Sequence, residues 1–197
     1  TVLTVRELAR LIVLYGIDIT NIDPEPADEP MALRSSASLL AESAGGITES
    51  VLRSLAARKG EKEADRPALK KLRNTGVFRE TMVTIGGKIY SVAVVDGLKG
   101  LEKIRQMVDA GARYDLVEVM ACPGGCVNGG GMMPAGSREA VRQRSRFIWQ
   151  TDDQEAVRAP EQSASVADLY GRVFEQCSEL ADKKVFHTHF SKRDVLL

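Results

Sequence analysis

The sequence predicts an α/β protein in which helices flank a mixed, largely parallel sheet. Two β-type runs, Thr81–Ile85 and Lys88–Val95, are separated only by Gly86-Gly87, which is the pattern of a tight hairpin. Apolar residues at helical spacing then predict an amphipathic helix over Leu98–Val108, and Tyr114–Met120 predicts a further strand. A strand, a helix and a strand in this order form a right-handed βαβ unit with parallel strands.

The segments before the hairpin are predicted to contain two helices. Thr4-Val5-Arg6-Glu7 has the pattern of a capping box, so it begins a first helix, which Gly16 ends. Three prolines and five acidic residues make Ile17–Pro30 an irregular connection. After Gly45-Gly46, apolar residues on one face predict a helix over Ile47–Arg58.

The C-terminal third is predicted to be helical. One helix covers about Ser137–Trp149, and another begins at Ser165. Cys177 lies on the apolar face of the second helix, so we expect it to be a small core residue. The two histidines, His187 and His189, alternate as in a strand, and we expect a structural role for them rather than metal binding.

Composition and charge exclude several classes of partner. The 197 residues are 44% hydrophobic and 27% charged, as in an ordinary globular protein of one domain or one lobe. The 27 Lys and Arg balance the 27 Asp and Glu, whereas binders of nucleic acid or anionic membranes carry an excess of positive charge. The longest apolar run, Leu8–Tyr15, is interrupted by Arg10, and Thr1–Arg10 lacks the features of a signal peptide. We therefore expect no membrane insertion, a cytoplasmic location, and, since Thr1 is not an initiator methionine, further material upstream.

The residues that carry chemistry follow the Tyr114–Met120 strand directly. Cys122 and Cys126 flank Pro123-Gly124-Gly125 in a loop that continues to Gly131. Such loops, at the carboxyl ends of parallel strands, are where α/β proteins place their sites. Two thiolates at this spacing can converge on one metal centre. The glycines let the backbone approach that centre closely, and we expect their free N–H groups to point at anionic sulfur. In a reducing compartment, three cysteines with this spacing favour a metal site over a disulfide.

Three kinds of site compete for these residues. A zinc site would need two more ligands, and His187 and His189 have no supporting spacing. A phosphate-binding loop would need the Lys and Ser/Thr of a P-loop, and Gly125–Gly131 does not match the dinucleotide-binding spacing. Soft thiolates also bind iron–sulfur clusters, which is the interpretation we favour.

The segment Glu118–Gly131, EVMACPGGCVNGGG, closely resembles the third cysteine motif of [FeFe]-hydrogenases. Val2–Ala9 resembles the segment that follows the second cysteine motif of that family, and Ala44–Arg53 resembles its Thr-Gly-Gly-Val-Met-Glu…Leu-Arg element. Phe186–Phe190 resembles its terminal His-Thr-His-Tyr. The resemblance covers almost the whole chain. It implies that residues 1–197 form the C-terminal lobe of the two-lobed iron-only hydrogenase catalytic domain, whose upstream lobe is not in this chain.

The resemblance also implies a cofactor and a reaction. In the family, four cysteines hold a [4Fe-4S] cluster, and one of them bridges it to a diiron centre that carries CO and cyanide. Cys122 and Cys126 match two of the cluster ligands, with Cys126 at the bridging, catalytic position, and Met120 matches a methionine beside the diiron centre. The implied reaction is the reversible reduction of protons to hydrogen, in anaerobic hydrogen metabolism. The implied partners are another half or subunit that supplies two more cysteines, and a ferredoxin-like or flavin/NAD electron-transfer protein.

Three departures from the family pattern leave two alternatives open. The motifs with the other two cluster cysteines, a proton-relay cysteine and a cyanide-pairing lysine do not occur in this chain. Ala41-Glu42 replaces Phe-Gly, and Met132-Met133-Pro134 replaces Gln-Pro. An alanine opens the pocket beside Met120, so we expect either that Glu42 turns to solvent or that the diiron centre is absent. The alternatives are an electron-transfer or sensory subunit that keeps only the [4Fe-4S] cluster, and a non-enzymatic iron–sulfur carrier.

Two further residues have sequence-based expectations. Glu118 alternates with apolar neighbours in the last predicted strand, and we expect it to form hydrogen bonds near the cysteine loop, with proton transfer as the alternative role. Trp149 is expected to pack beneath its own helix.

Overall fold

The computed structural model describes residues 2–26, 28, 34–62, 64–174 and 191. A three-stranded sheet lies in the middle of this part of the chain, with helices before and after it. The elements, in chain order, are α1 (Val5–Leu14), α2 (Ala37–Leu40), α3 (Gly46–Arg58), α4 (Arg66–Lys70), β1 (Phe78–Ile85), β2 (Lys88–Asp96), α5 (Leu101–Asp109), β3 (Leu116–Met120), α6 (Arg138–Gln154) and α7 (Ala164–Leu169).

The sheet is mixed and has the order β1-β2-β3. β1 and β2 are antiparallel and pair up to Ile85 and Lys88. Gly86 and Gly87 form the turn between them, with φ of 58° and 75°, a region that favours glycine over residues with a Cβ. β2 and β3 are parallel within the described residues, and Asp96 pairs with Met120 at their ends. The predicted α/β class, with helices flanking a mixed sheet, is confirmed.

The main core lies between one face of the sheet and the helices α3 and α4. Because strand residues alternate between faces, every second residue of β1 points inward, and its burial alternates accordingly. The buried members of this cluster are Ala44, Leu52, Ala56, Ala64, Ala68, Leu69, Leu72, Val83, Ile85, Val92 and Val94. Each large aliphatic side chain buried here contributes about 1.5–3 kcal/mol.

Two helices keep their apolar sides exposed in this chain. α1 and α5 contain no buried residue in the described structure, although both are amphipathic, as their sequences predict. On the outer side of β3, Val117 and Val119 are 38% and 44% exposed. Of these elements, β3 leads directly into the cysteine loop, and α1 contacts the end of the loop through Arg6 and Met132.

The C-terminal helices follow the sequence prediction in part. α6 runs to Gln154, beyond the predicted end at Trp149, and α7 begins at Ala164, with Ser163 as its N-cap. The predictions for Cys177, His187 and His189 lie outside the described residues. No helix in the described ranges has the length and apolar character needed to cross a membrane.

Candidate metal centre

The cysteine loop begins where β3 ends, at the carboxyl ends of the two parallel strands. The N–H of Gly97 donates to the carbonyl of Met120 at 2.9 Å, which extends the pairing of β2 and β3 by one residue. Cys122 and Cys126 are both free thiols; Cys122 is half-buried and Cys126 is exposed. The two candidate ligands are therefore available on a loop whose beginning is fixed by the sheet.

Hydrogen bonds within the loop define two successive turns. The N–H of Gly125 donates to the carbonyl of Cys122 at 3.0 Å, and that of Gly129 donates to the carbonyl of Cys126 at 2.9 Å. The N–H of Gly124 donates to the carboxylate of Asp96. The expectation that the glycines aim free N–H groups at sulfur is therefore wrong for Gly124 and Gly125, because protein oxygens accept from both.

Gly125 is required by a close approach between two segments. Its φ is +85°, and a Cβ built there would lie 2.8 Å from the amide nitrogen of Ala44 and 2.9 Å from the carbonyl oxygen of Glu42. Two backbone hydrogen bonds join the same segments, from Ala44 to Gly124 at 3.1 Å and from Val127 to Glu42 at 3.0 Å. The turn that precedes α3 thus packs directly on the cysteine loop.

Glu118 connects β3 to the beginning of α3. Its carboxylate is buried and accepts hydrogen bonds from the N–H groups of Gly45 at 2.6 Å and Thr48 at 2.7 Å. A carboxylate at a helix N-terminus satisfies amides that lack an intrahelical partner and interacts favourably with the helix dipole. The expected hydrogen bonding near the loop is confirmed, and the structure gives Glu118 a helix-capping role.

A buried arginine lies beneath the same junction. Arg79 of β1 places Nη1 3.7 Å from Oδ2 of Asp96, and both side chains are almost fully buried. Burial lowers the pKa of Arg79, while the charges of Asp96 and Glu118 oppose that shift. Sequence reasoning missed Arg79 and Asp96, because both lie just outside the predicted strands, whereas β1 begins at Phe78 and β2 ends at Asp96.

The helix α6 supports the loop from the other side. Arg144 donates from Nη1 to the carbonyl of Val127 at 3.0 Å, and Trp149 donates from Nε1 to Oγ of Ser43 at 3.2 Å. Trp149 is half-buried and packs against the small core cluster that includes Val127, as well as making this polar contact. A Cβ at Gly124 would clash with the side chain of Val141, which lies on α6. The packing of α6 against the loop therefore also requires glycine at position 124.

A buried ion network fixes α6 against α3. Arg53 contacts Asp152 at 2.7 Å and Glu49 at 2.5 Å, and Arg73 contacts Glu49 at 2.8 Å. Burial alone would raise the pKa of Asp152, but hydrogen bonds from Arg53 and Ser36 and the charge of Arg53 lower it well below its usual range. Sequence reasoning did not find this network, because its acidic and basic residues come from distant segments.

The positions that depart from the family pattern lie beside the loop. Ala41 is half-buried and is the C-cap of α2. Glu42 is exposed, as expected if its carboxylate turns to solvent, and its backbone carbonyl accepts from the N–H of Val127 in the loop. Met132 follows the three glycines, and its carbonyl accepts from Nη2 of Arg6 at 2.7 Å, which holds the start of α1 against the end of the loop.

The described residues contain no group of three or more Cys, His, Asp or Glu side chains that could hold a metal ion. The loop therefore offers two thiol ligands, Cys122 and Cys126, and Met120 lies two residues before the first of them. Met120 is partly buried and packs against the main core. Its assignment beside a diiron centre and the cysteines' assignment as ligands stay predictions.

The fold and the cysteine loop together define a hydrogenase-like α/β domain. Residues 1–130 match the family described as iron only hydrogenase large subunit, C-terminal domain. Residues 138–193 match the iron hydrogenase small subunit family, and this second match begins at the first residue of α6. The chain belongs to the first of these families, that of the C-terminal domain of iron-only hydrogenase large subunits. The helix that supports the cysteine loop, α6, is thus the first element of the region that matches the small-subunit family.

Two relatives show the range of proteins to which this chain is similar. It is 28% identical over 199 residues to the NADP-reducing hydrogenase subunit HndD of Solidesulfovibrio fructosivorans, covering 99% of the chain and 34% of that protein. It is 29% identical over 202 residues to the cytosolic Fe-S cluster assembly factor narfl of Xenopus tropicalis, covering 96% of the chain and 40% of that protein. The chain spans less than half of the length of either relative.

Solved structures share the fold. A variant of the [FeFe]-hydrogenase HydA1 from Chlamydomonas reinhardtii superposes with a TM-score of 0.59 at 24% identity, over 85% of this chain and 49% of that one. The superposition supports the common architecture of the two proteins.

Proposed function

We propose that this chain supplies Cys122 and Cys126 as ligands of a [4Fe-4S] cluster in an [FeFe]-hydrogenase-type oxidoreductase, which reversibly reduces protons to hydrogen. The observation that carries the proposal is the loop itself. Both thiols are free, Cys126 is exposed, and the backbone between them is fixed at the carboxyl end of a parallel strand. The family of the chain agrees with this chemistry.

The donor set of the loop fits part of such a cluster. Thiolate sulfur is the usual protein ligand of iron–sulfur clusters, and a [4Fe-4S] cluster takes four such ligands. Within the described residues the loop provides two. We propose that the remaining ligands come from the other half of the catalytic domain or from another subunit. This chain spans 34% of HndD.

Each candidate residue has a defined task in this proposal. Cys122 and Cys126 would hold the cluster, and Cys126 matches the family position that would also hold the diiron centre. When bound, the diiron centre supplies the site at which protons and electrons combine. Met120, which packs against the main core, would lie beside that site and help to exclude water from it. The protein then determines which faces of the metals are accessible, whereas the metals carry out the redox chemistry.

The exposed apolar surfaces of α1 and β3 are suited to contact with the missing half. Val13 and Leu14 of α1 are 79% and 76% exposed, and Val117 and Val119 of β3 are also exposed. Apolar residues grouped in this way mark interaction surfaces. We propose that the ligand-supplying half covers these residues, that a ferredoxin-like or flavin/NAD protein exchanges electrons with the assembly, and that the assembly is cytoplasmic.

The test is spectroscopy on the protein purified anaerobically with its partner subunits. Iron and sulfide content reports the cluster, infrared bands report metal-bound CO and cyanide, and hydrogen output from reduced viologen reports activity. We expect all three signals. A preparation with both partners present but without cluster iron would contradict the proposal.

A second candidate function is supported by the relatives and by the loop's surroundings. One relative is named as a cytosolic Fe-S cluster assembly factor and is similar over 96% of the chain. Ala41 and Met132-Met133 also differ from the residues of the [FeFe]-hydrogenase motifs. An electron-transfer or sensory subunit, or an iron–sulfur carrier, would show the cluster without the infrared bands. Transfer of the cluster to an acceptor protein would then distinguish a carrier from an electron-transfer subunit.

A further inference from the structure

A carboxylate at the end of β2 holds the middle of the cysteine loop. Asp96 accepts a hydrogen bond through Oδ1 from the N–H of Gly124, which lies two residues from each cysteine. Asp96 is also the strand partner of Met120, so it lies where the sheet ends and the loop begins. Its side chain is 6% exposed. The contact therefore joins a rigid part of the sheet to the residue at which the loop turns.

Asp96 has a buried counter-ion in Arg79. The guanidinium of Arg79 lies 3.7 Å from Asp96 and donates from Nη1 to the carbonyls of Asn74 and Gly76. Its Nε and Nη2 have no hydrogen-bond partner among the residues that the structure describes. A buried cation with unsatisfied donors is costly, and opposite charge nearby reduces that cost. Arg79 and Asp96 therefore depend on each other for their burial.

The bond to Asp96 differs from the other hydrogen bonds of the loop. The N–H groups of Gly125, Asn128 and Gly129 all donate to backbone carbonyls of the loop itself. Gly124 instead donates to an acidic side chain from another strand, and hydrogen bonds to an ionised acceptor are stronger than neutral ones. This bond therefore ties the first turn to the sheet, whereas the bonds between Ala44 and Gly124 and between Val127 and Glu42 tie the loop to the turn before α3.

We propose that Asp96, with Arg79 as its counter-ion, is a positioning residue that fixes the turn between Cys122 and Cys126 in the orientation in which both thiolates bind the cluster. The inference rests on the proposed function, because it assigns a role toward the same cluster. It adds residues that touch neither metal nor substrate. It also implies that replacing this carboxylate by a neutral group leaves the positive charge of Arg79 uncompensated near the cluster, which favours the addition of an electron.

The experiment separates the hydrogen bond from the charge. Asp96→Ala removes both, whereas Asp96→Asn keeps an acceptor for the Gly124 N–H and removes the charge. The matched control is Asp115, which accepts from the N–H of Ser91 at 2.8 Å on the same strand pair but at its opposite end. The control variants are Asp115→Ala and Asp115→Asn. All four variants are made in the full protein with its partner subunits.

Two measurements are made on each variant. Hydrogen exchange of residues 121–131 in the metal-free protein reports the order of the loop. The reduction potential of the [4Fe-4S] cluster, reconstituted from ferrous iron and sulfide, reports the charge. We expect Asp96→Ala to speed exchange of this segment by about tenfold or more, the size of effect expected for a hydrogen bond to a charged group. Asp96→Asn should keep exchange within a few-fold of the wild type and shift the potential to a more positive value. The Asp115 variants should change neither quantity.

The outcomes distinguish this inference from the proposed function. Unchanged exchange of the loop in Asp96→Ala would overturn the positioning role, even if the cluster is present. An unchanged potential in a fully loaded Asp96→Asn protein would also overturn it, because a purely structural contact leaves the potential unaltered. A wild-type assembly that takes up no cluster would contradict the proposed function alone, since the exchange measurement needs no metal. If Asp96→Ala does not fold, the exchange and potential of Asp96→Asn decide the question.

Discussion

The carboxylate of Glu118 accepts a hydrogen bond from the N–H of Gly45 at 2.6 Å, although the two residues are 73 positions apart in the sequence. Glu118 lies in the strand that leads into the cysteine loop, and Gly45 is the N-cap of α3. The bond joins two segments that resemble separate motifs of the [FeFe]-hydrogenases. Changes in either segment should therefore affect the loop.

Replacement of either loop cysteine should remove the cluster. Cys122→Ser and Cys126→Ser each replace a soft thiolate by a hard oxygen. Iron–sulfur clusters bind such an oxygen poorly. We expect iron and sulfide in the anaerobically assembled protein to fall to background in both variants. Cys177→Ser is the control, because its position on an apolar helical face predicts a core residue; Cys177 lies outside the described residues. Loss of iron in that variant would identify Cys177 as a ligand.

Gly125→Ala should displace the cysteine loop. The new Cβ would meet backbone atoms of Ala44 and Glu42 at less than 3.0 Å, and the positive φ of +85° would be strained. We expect a loss of about 1–3 kcal/mol in the free energy of unfolding, measured by denaturant titration, and lower iron content.

Gly130→Ala is the matched control in the same loop. Nothing lies within 4 Å of a Cβ at Gly130, so its unfolding free energy should change by no more than about 0.5 kcal/mol. Equal effects of the two substitutions would show that the contact between the loop and the Glu42–Ala44 segment does not constrain residue 125.

Asp152→Asn should destabilise the protein at neutral pH. Asp152 is fully buried and contacts Arg53 at 2.7 Å and Arg158 at 2.9 Å. Its replacement leaves the buried guanidinium of Arg53 with one carboxylate, Glu49, where it had two. Breaking a buried ion pair in this way costs about 3–5 kcal/mol. Asp153→Asn is the control, because Asp153 is 36% exposed and pairs of exposed charges contribute about 1 kcal/mol or less.

The effect of Asp152 should disappear in acid. The pKa of Asp152 is lower in the folded protein than its ordinary value of 3.8, so the carboxylate stabilises the fold fully above that value. The contribution is lost as the pH falls below 3.8 toward the depressed pKa. The unfolding free energies of the wild type and of Asp152→Asn, measured between pH 7 and pH 2, should therefore converge below about pH 4. A constant difference across this range would contradict the assignment.

The substitution Ala41→Phe with Glu42→Gly should raise hydrogen evolution several-fold in a complex assembled with the diiron cofactor. Ala41 is half-buried and precedes Glu42, whose carbonyl accepts from the N–H of Val127 in the loop. The prediction assumes that an aromatic side chain at residue 41 walls the diiron pocket, as the resemblance implies, and excludes water from it. Glu42→Gly alone should leave the rate unchanged, since this carboxylate is exposed. The assay is hydrogen output from reduced viologen, with iron content checked in each protein.

Equal rates in fully loaded wild-type and double-variant proteins would mean that another segment forms the wall of the pocket. No activity in either protein, with the cluster intact, would favour the electron-transfer alternative. Both results would contradict the prediction for Ala41.

Elements that depend on near neighbours could be predicted from the sequence. The capping box of α1 forms as expected. The side chain of Thr4 accepts from the N–H of Glu7, and the side chain of Glu7 accepts from the N–H of Thr4. The hairpin turns at Gly86-Gly87, and β3 leads into the cysteine loop. These features need only short-range geometry, such as two consecutive residues with positive φ or a cap three residues from its acceptor. The end of α6 and the beginnings of β1 and β3 were predicted less accurately, because packing rather than propensity decides them.

The sequence by itself determined which residues are the candidate ligands, Cys122 and Cys126, since two cysteines around Pro-Gly-Gly after a strand are a local pattern. What holds those residues was decided only by the tertiary structure. Asp96 and Gly124 are 28 positions apart and Arg53 and Asp152 are 99 apart, so nothing in their spacing predicts contact. Such pairs form because the parallel strands end at one edge of the sheet and α6 packs against α2 and the loop. A buried charge is stable only where the fold brings an opposite charge or a free N–H to it.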